Sequence, residues 1–307
     1  MMEKIGKNQL KNILETRGGR GIEKKVSSII EQVREKGDTA LKSFTERFDG
    51  VRIKNIKVPV EEIVESERCI DKKVLSAVVR AASRLRKYHI AQMPKRFAVR
   101  EKGISCECMF FPVKKVGVYV PAGQAPLIST VLMTIVPAQV AGVKEIYAAS
   151  PPSDGGRVNP LILGVLGYLG IRDVFAVGGA QAVAGFAYGT ESMPVVDVVA
   201  GPGNRYVDTA KRLLYGRVGI DLPAGPSELV VFTDNSGDME FIEADMKAQI
   251  EHSGGLGILV TTSERIGRKL SERIKGGYWL KVRDKKEAVE VINLIAPEHL
   301  QVMCKNP

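Results

Sequence analysis

The chain has 307 residues, of which 44% are hydrophobic and 26% charged. These values exclude a disordered, collagen-like or coiled-coil chain, and the length suits two domains better than one core. Lysine and arginine number 45 against 35 acids. The two signs alternate in EQVREKGD and EEIVESERCIDKK, however, and aromatics make up only 6%. That is the pattern of solvated helix faces, so an anionic substrate or cofactor is expected rather than nucleic acid. No run reaches the roughly 18 apolar residues of a membrane span, and MMEKIGKNQLKNILETRGGR lacks the apolar centre of a secretory signal. Four cysteines are too few for a disulfide scaffold, which points to a reducing cytoplasm.

The first hundred residues read as a helical arm. Over 23–46, Val26, Ile29, Ile30 and Val33 recur at helical spacing, and Leu41 and Phe44 follow a break at Gly37. A second helix over 73–90 carries Val74, Leu75, Val78, Ala81, Ala82 and Leu85 on one face. Both stripes read as packing surfaces. His89 ends the second helix, where a cation suits the dipole. In ISCECMFFP, Cys106 and Cys108 share one side of a strand. Without a second Cys/His pair, strand packing is the expected role rather than metal binding.

From Lys114 the texture changes. VGVYV (116–120), EIYAAS (145–150), VFAV (174–177) and VVDVVA (195–200) are short β-rich runs. Helical stretches at 127–142, 158–169 and 180–188 separate them. ELVVF (228–232), a helix over 238–252, GILVTT (257–262) and HLQVMC (299–304) continue the alternation. Strand and helix at this spacing predict parallel sheets with right-handed crossovers. The expected fold is therefore α/β, two Rossmann-like parallel-sheet halves with a helical N-terminal arm. One half spans 114–225; the other combines 226–307 with the arm, 1–113.

Glycine and proline gather in PAG (121–123), VGGAQA (177–182), GPGN (201–204) and PAGPSE (223–228). Ligand crevices of open α/β sheets lie beyond the carboxyl ends of strands. With Tyr119, Gln181, Asn204 and Ser227 at their edges, these turns are expected to converge on one site. The dinucleotide fingerprint G-x-G-x-x-G is absent, since Tyr206 stands where the third glycine belongs. GPGN still opens a helix whose backbone N–H groups can receive an anion.

Two further places concentrate chemistry. In ADMKAQIEH (244–252), Gln249 and His252 stand three residues apart and share a helix face. They can hold a common ligand or a metal, although two ligands alone do not make a zinc site. In APEHLQV (296–302), Glu298 and His299 are adjacent. They form a carboxylate–imidazole pair able to exchange protons near neutral pH, provided the backbone is irregular there. A surface Glu-His pair is the plain alternative.

With these residues in view, the sequence resembles the histidinol dehydrogenases. IDLPAGPSELVVF and ADMKAQIEH (220–252) carry the likeness most strongly. VGVYVPAGQAPLISTVLMTIVPAQVAGV (116–143), VGGAQAVAGFAYGTESMPVVDVVAGPGNRYV (177–207), APEHLQV and FTERFDGV (44–51) support it. The resemblance implies oxidation of L-histidinol to L-histidine in two NAD-dependent steps through a bound aldehyde. It implies that Glu298 activates water and that His299 is the general base. It makes Gln249 and His252 ligands of zinc and substrate, Ser227, Glu298 and His299 substrate contacts, and Tyr119, Gln181 and Asn204 the NAD-holding residues. A cytoplasmic homodimer is implied as well. The family pattern continues past Pro-Glu-His with an Asp zinc ligand and a later Glu and His, none of which can be assigned before Pro307. A C-terminally truncated member with an incomplete zinc site is therefore expected. A non-catalytic homologue that binds NAD or a small ligand, and a dehydrogenase of another alcohol, are the competing readings.

Overall fold

The computed structural model describes residues 1–16, 20–122, 126–223, 227–251 and 255–305. They form two compact units, one made of Met1–Arg20 with Ala224–Pro307 and the other of Gly21–Pro223.

The first unit opens with strand β1 (Glu3–Lys4) and helix α1 (Lys7–Thr16). The second unit then starts with α2 (Arg20–Asp49), α3 (Val60–Arg68), α4 (Lys72–Gln92) and the hairpin strands β2 (Phe97–Glu101) and β3 (Ile104–Cys108). The second unit continues with β4 (Lys115–Tyr119), α5 (Ile128–Val140), β5 (Glu145–Ser150), α6 (Pro160–Tyr168) and β6 (Val174–Ala176). It closes with α7 (Gly179–Tyr188), β7 (Val198–Ala200), α8 (Arg205–Leu214) and β8 (Gly219–Ile220). The chain then returns to the first unit through β9 (Glu228–Thr233), α9 (Met239–Ile250), β10 (Leu256–Thr261), α10 (Glu264–Arg273), β11 (Tyr278–Lys281), α11 (Lys285–Ile295) and β12 (His299–Met303).

The expected α/β class holds. In the second unit the strands run in the order β6-β5-β4-β7-β8, all parallel. Numbered within the unit this is 3-2-1-4-5, the order of a Rossmann half, with its switch point between β4 and β7. Alternate residues of each strand feed opposite faces, as the pleat requires. Tyr119 and Ala149 join one core with Val26, Ile30, Leu41, Phe44 and Phe186. Val116, Val118 and Ala148 join the other with Val78, Ile135 and Ile162. At Gly117 a Cβ would come within 2.7 Å of the Phe186 ring, so glycine there lets α7 lie against β4.

The first unit repeats the plan, with strands β1-β11-β10-β9-β12, again parallel. Val230, Ile258 and Leu280 meet Leu10 of α1 and Val291 of α11 on one face. Val231, Leu259 and Trp279 meet Met246 of α9 and Leu270 of α10 on the other.

Two expectations are corrected. The sequence reading assigns all of 1–113 to the half containing 226–307, but only the first twenty residues go there. The apolar stripe of α2 and the Val78–Ala82 face of α4 complete the two cores of the 114–223 sheet instead. Apolar spacing shows that a helix is buried without showing which sheet it covers. The second correction concerns Cys106 and Cys108. They lie on β3 opposite Val99 and Phe97 of β2, in a hairpin whose sides are largely exposed, so Cys106 is open to solvent and Cys108 only half-buried. Neither is packed in a core.

Candidate functional site

The carboxyl ends of β4, β5 and β7 and the start of α7 surround a cavity of about 900 Å³. Tyr119, Gln181 and Asn204, the three expected cofactor residues, all line it. Tyr119 ends β4, one side of the switch point. Its buried hydroxyl accepts the backbone N–H of Gly179 at 3.2 Å, and burial raises the phenol's pKa above its ordinary value. Asn204 follows β7 and caps α8, its Oδ1 accepting from the N–H groups of Tyr206 (3.0 Å) and Val207 (3.2 Å). Its Nδ2 is therefore the group left to reach a ligand. Gln181, in the first turn of α7, is only 1% exposed, yet neither Oε1 nor Nε2 has a hydrogen-bond partner. A buried amide without protein partners costs free energy that a matching ligand recovers.

Helix α2 closes the cavity with residues the sequence reading left as arm: Lys24, Lys25, Arg47 and Asp49. Burial pushes the Asp49 carboxyl up to about 6, and its Oδ2 has no partner. The apolar stripe drew attention to the packed face of α2; the polar residues beside it carried the missed signal. The N-terminus of α7 has no side-chain cap, so together with Lys24 and Lys25 it offers positive potential to an anionic group.

In the first unit, Gln249, Asp245, Glu298 and His299 line a hollow of about 470 Å³. Nε2 of Gln249 donates to the carbonyl (2.8 Å) and hydroxyl (3.0 Å) of Ser227, which fixes the end of α9 to the residue entering β9. Glu298 and His299 present Oε1 and Nε2 3.9 Å apart, at 57% and 59% exposure. The irregular backbone they need is supplied by Ala296, which ends α11 in the left-handed region at φ 47, ψ 57 and is followed by Pro297. These residues do not obey the carboxyl-end rule. Ser227 precedes β9 and Glu298–His299 enter β12, so this hollow lies at the amino ends of its strands. The expected placement of PAGPSE at a strand's carboxyl end is therefore corrected for Ser227, which precedes β9.

His252 and residues 224–226 lie outside the described residues. Among the described residues no three His, Cys, Asp or Glu side chains come together as a metal site. Gln249 offers only an amide oxygen, a weak ligand, whereas zinc takes three or four strong donors. The described donors thus do not fit a zinc ion. Among the described residues no helix is long and apolar enough to cross a membrane.

The chain is similar to known proteins over nearly its whole length. The histidinol dehydrogenase of Methanocaldococcus jannaschii is 41% identical over 301 residues, covering 92% of this chain and 70% of that protein. That of Methanococcus maripaludis is 42% identical over 306 residues, covering 94% and 72%. The crystal structure of the Elizabethkingia anophelis histidinol dehydrogenase superposes with a TM-score of 0.83 at 30% identity, covering 99% of this chain and 76% of that one. The sequence model of the same family matches residues 15–307. A match of this extent, over both parallel sheets and both hollows, makes the chain a member of the histidinol dehydrogenase family.

Proposed function

We propose that the protein oxidises L-histidinol to L-histidine with NAD as hydride acceptor, the dinucleotide lying in the cavity of Tyr119, Gln181 and Asn204. The partnerless amide of Gln181 carries the reading. It offers donor and acceptor together, the complement of a carboxamide or a ribose hydroxyl, within a cavity large enough for a cofactor. The uncapped start of α7 and the ammonium groups of Lys24 and Lys25 suit a pyrophosphate. Two NAD molecules, bound one after the other, would each accept one of the two hydrides that leave the substrate carbon between alcohol and acid.

The chain's own groups move the protons. His299 takes the hydroxyl proton of the alcohol, and takes one again from the hydrated aldehyde. Glu298 accepts a proton from the water that attacks the aldehyde, so that the oxygen needed for the carboxylate is added before the second oxidation. Ser227 and Gln249, already fixed to each other, hold the substrate. No step is assigned to zinc. Family membership also supports a homodimeric, cytoplasmic enzyme, and sedimentation equilibrium measures the first.

The test is to supply histidinol and NAD and follow NADH absorbance together with histidine formed. Two NADH per histidine is the expected outcome. NAD binding without either product would leave the non-catalytic homologue as the reading.

A further inference from the structure

Lysine is almost never fully buried unless paired, yet Lys211 in α8 is 1% exposed. Its Nζ donates to the carbonyl of Gly201 at 3.0 Å and forms an ion pair with Asp221. Asp221 in turn accepts the backbone N–H of Gly201 through Oδ2 at 2.9 Å. The three residues close a ring in which both polar backbone groups of one glycine are held by one ion pair, whose ammonium is buried and whose carboxylate is 29% exposed. Gly201 sits at φ 127, and a Cβ there would collide with the carbonyl oxygen of Tyr119. The ring therefore presses the turn 201–204 against the end of β4. Tyr119 stands on one side of that contact, and Asn204 ends the turn on the other.

If this pair served stability alone, it would be a poor choice. Desolvating the ammonium offsets much of its attraction to the carboxylate, and an apolar side chain of similar volume often does as well or better in a buried position. A fixed pair of directed hydrogen bonds does what apolar filling cannot: it sets the position of a particular peptide unit. We propose that Lys211 and Asp221 are positioning residues for the cofactor cavity, holding the 201–204 turn so that Tyr119 and Asn204 keep the separation a dinucleotide requires. The proposal rests on the reading of that cavity as the NAD site.

The experiment compares the parent chain with Lys211→Met/Asp221→Asn, which removes both charges of the pair, and with Asp221→Asn alone, which keeps an acceptor for the Gly201 N–H. Lys57→Met, in the exposed pair with Asp173, is the control. Calorimetry gives the NAD dissociation constant, a thermal melt reports folding, and amide hydrogen exchange reports protection at 201–207. The folded double variant should bind NAD about tenfold more weakly or worse, the worth of one lost charge-assisted hydrogen bond. Exchange should quicken at 201–207 while α7 keeps its protection. Asp221→Asn should fall between the double variant and the parent, and Lys57→Met should match the parent. A folded double variant with parental NAD affinity would overturn the proposal. If the double variant does not fold, parental affinity in Asp221→Asn overturns it instead. If the parent itself binds no NAD, the cofactor reading has failed, and unchanged protection at 201–207 in the double variant then rejects the positioning role as well.

Discussion

Gln249 holds Ser227 by two hydrogen bonds from a single nitrogen, 2.8 Å to the carbonyl and 3.0 Å to the hydroxyl. The carbonyl contact needs a donor at that position, whereas the hydroxyl can turn to donate. Gln249→Glu places a carboxylate oxygen against the Ser227 carbonyl at neutral pH, and a partly buried group that loses its partner costs about 1–3 kcal/mol. The variant should melt at a lower temperature than the parent at pH 7. Gln249→Met, which leaves the Ser227 groups unpaired without repulsion, should fall between them. Equal melting of Gln249→Glu and the parent would show that the contact carries no weight.

Glu298 and His299 are expected to act at different stages. Glu298→Gln keeps the shape but accepts no proton, so it should slow oxidation of supplied histidinal by about 10²–10⁴-fold and act less on the alcohol step. His299→Asn should slow both, since each oxidation begins with loss of a hydroxyl proton. The assay feeds histidinol and histidinal separately. Parental histidinal oxidation by Glu298→Gln would return the pair to ordinary surface charge.

Much of the cavity of Tyr119, Gln181 and Asn204 was legible in the sequence because Tyr119 and Asn204 end apolar runs at glycine-rich turns, and a parallel sheet brings such ends together. The Glu298–His299 hollow was legible only as a motif. Its position at the amino ends of β9 and β12 follows from strand direction, which periodicity does not report. Helix α10 went unread because Gly267 interrupts a ten-residue segment, and β11 because it has only four residues. Asp49 and Lys24 were hidden for another reason. A helix that packs on one face and lines a cavity on another shows a single apolar stripe, and the polar residues beside it look like any solvated face.

Two carboxyls should give stability opposite dependences on pH. Burial raises Asp49 to about 6, so the folded state holds its proton more tightly than the unfolded chain. That contribution is full below about 4, the unfolded value, and is lost as pH rises through 6. Asp49→Asn should therefore raise the melting temperature at pH 8 and leave it unchanged at pH 4. Glu287 is held down to about 2, first by the Lys7 ammonium and then by the backbone N–H and guanidinium of Arg283. Its contribution is present above the unfolded value and is lost as pH falls through 2. Glu287→Gln should lower the melting temperature at pH 7 and converge with the parent near pH 2. Parallel shifts of either variant across the whole range would refute the assignment.

Ala296 is the one non-glycine residue with positive φ among the described residues. A left-handed alanine costs roughly 1–2 kcal/mol, held at the join between α11 and the Glu298–His299 segment. Ala296→Gly removes that strain but also widens the conformations open to the unfolded chain. The net should be a stabilisation of about 1 kcal/mol or less, seen in urea denaturation. If the fixed backbone is what aims Glu298 and His299, turnover of Ala296→Gly should fall although the protein is more stable. A gain in both would separate the strain from the chemistry.

The pairing of β1 with β11 joins Glu3 to Tyr278 and so sets an order of events on the ribosome. Residues 21–223 emerge as an unbroken stretch that contains every strand of its own sheet, and that unit can complete its core while synthesis continues. Residues 1–20 leave the exit tunnel before that unit and yet find their neighbours after it. Until β11 appears, Met2, Ile5 and Leu10 have no apolar face to cover and are a natural point of capture for a chaperone. Slowing translation late in the message should prolong that exposure without delaying the middle unit.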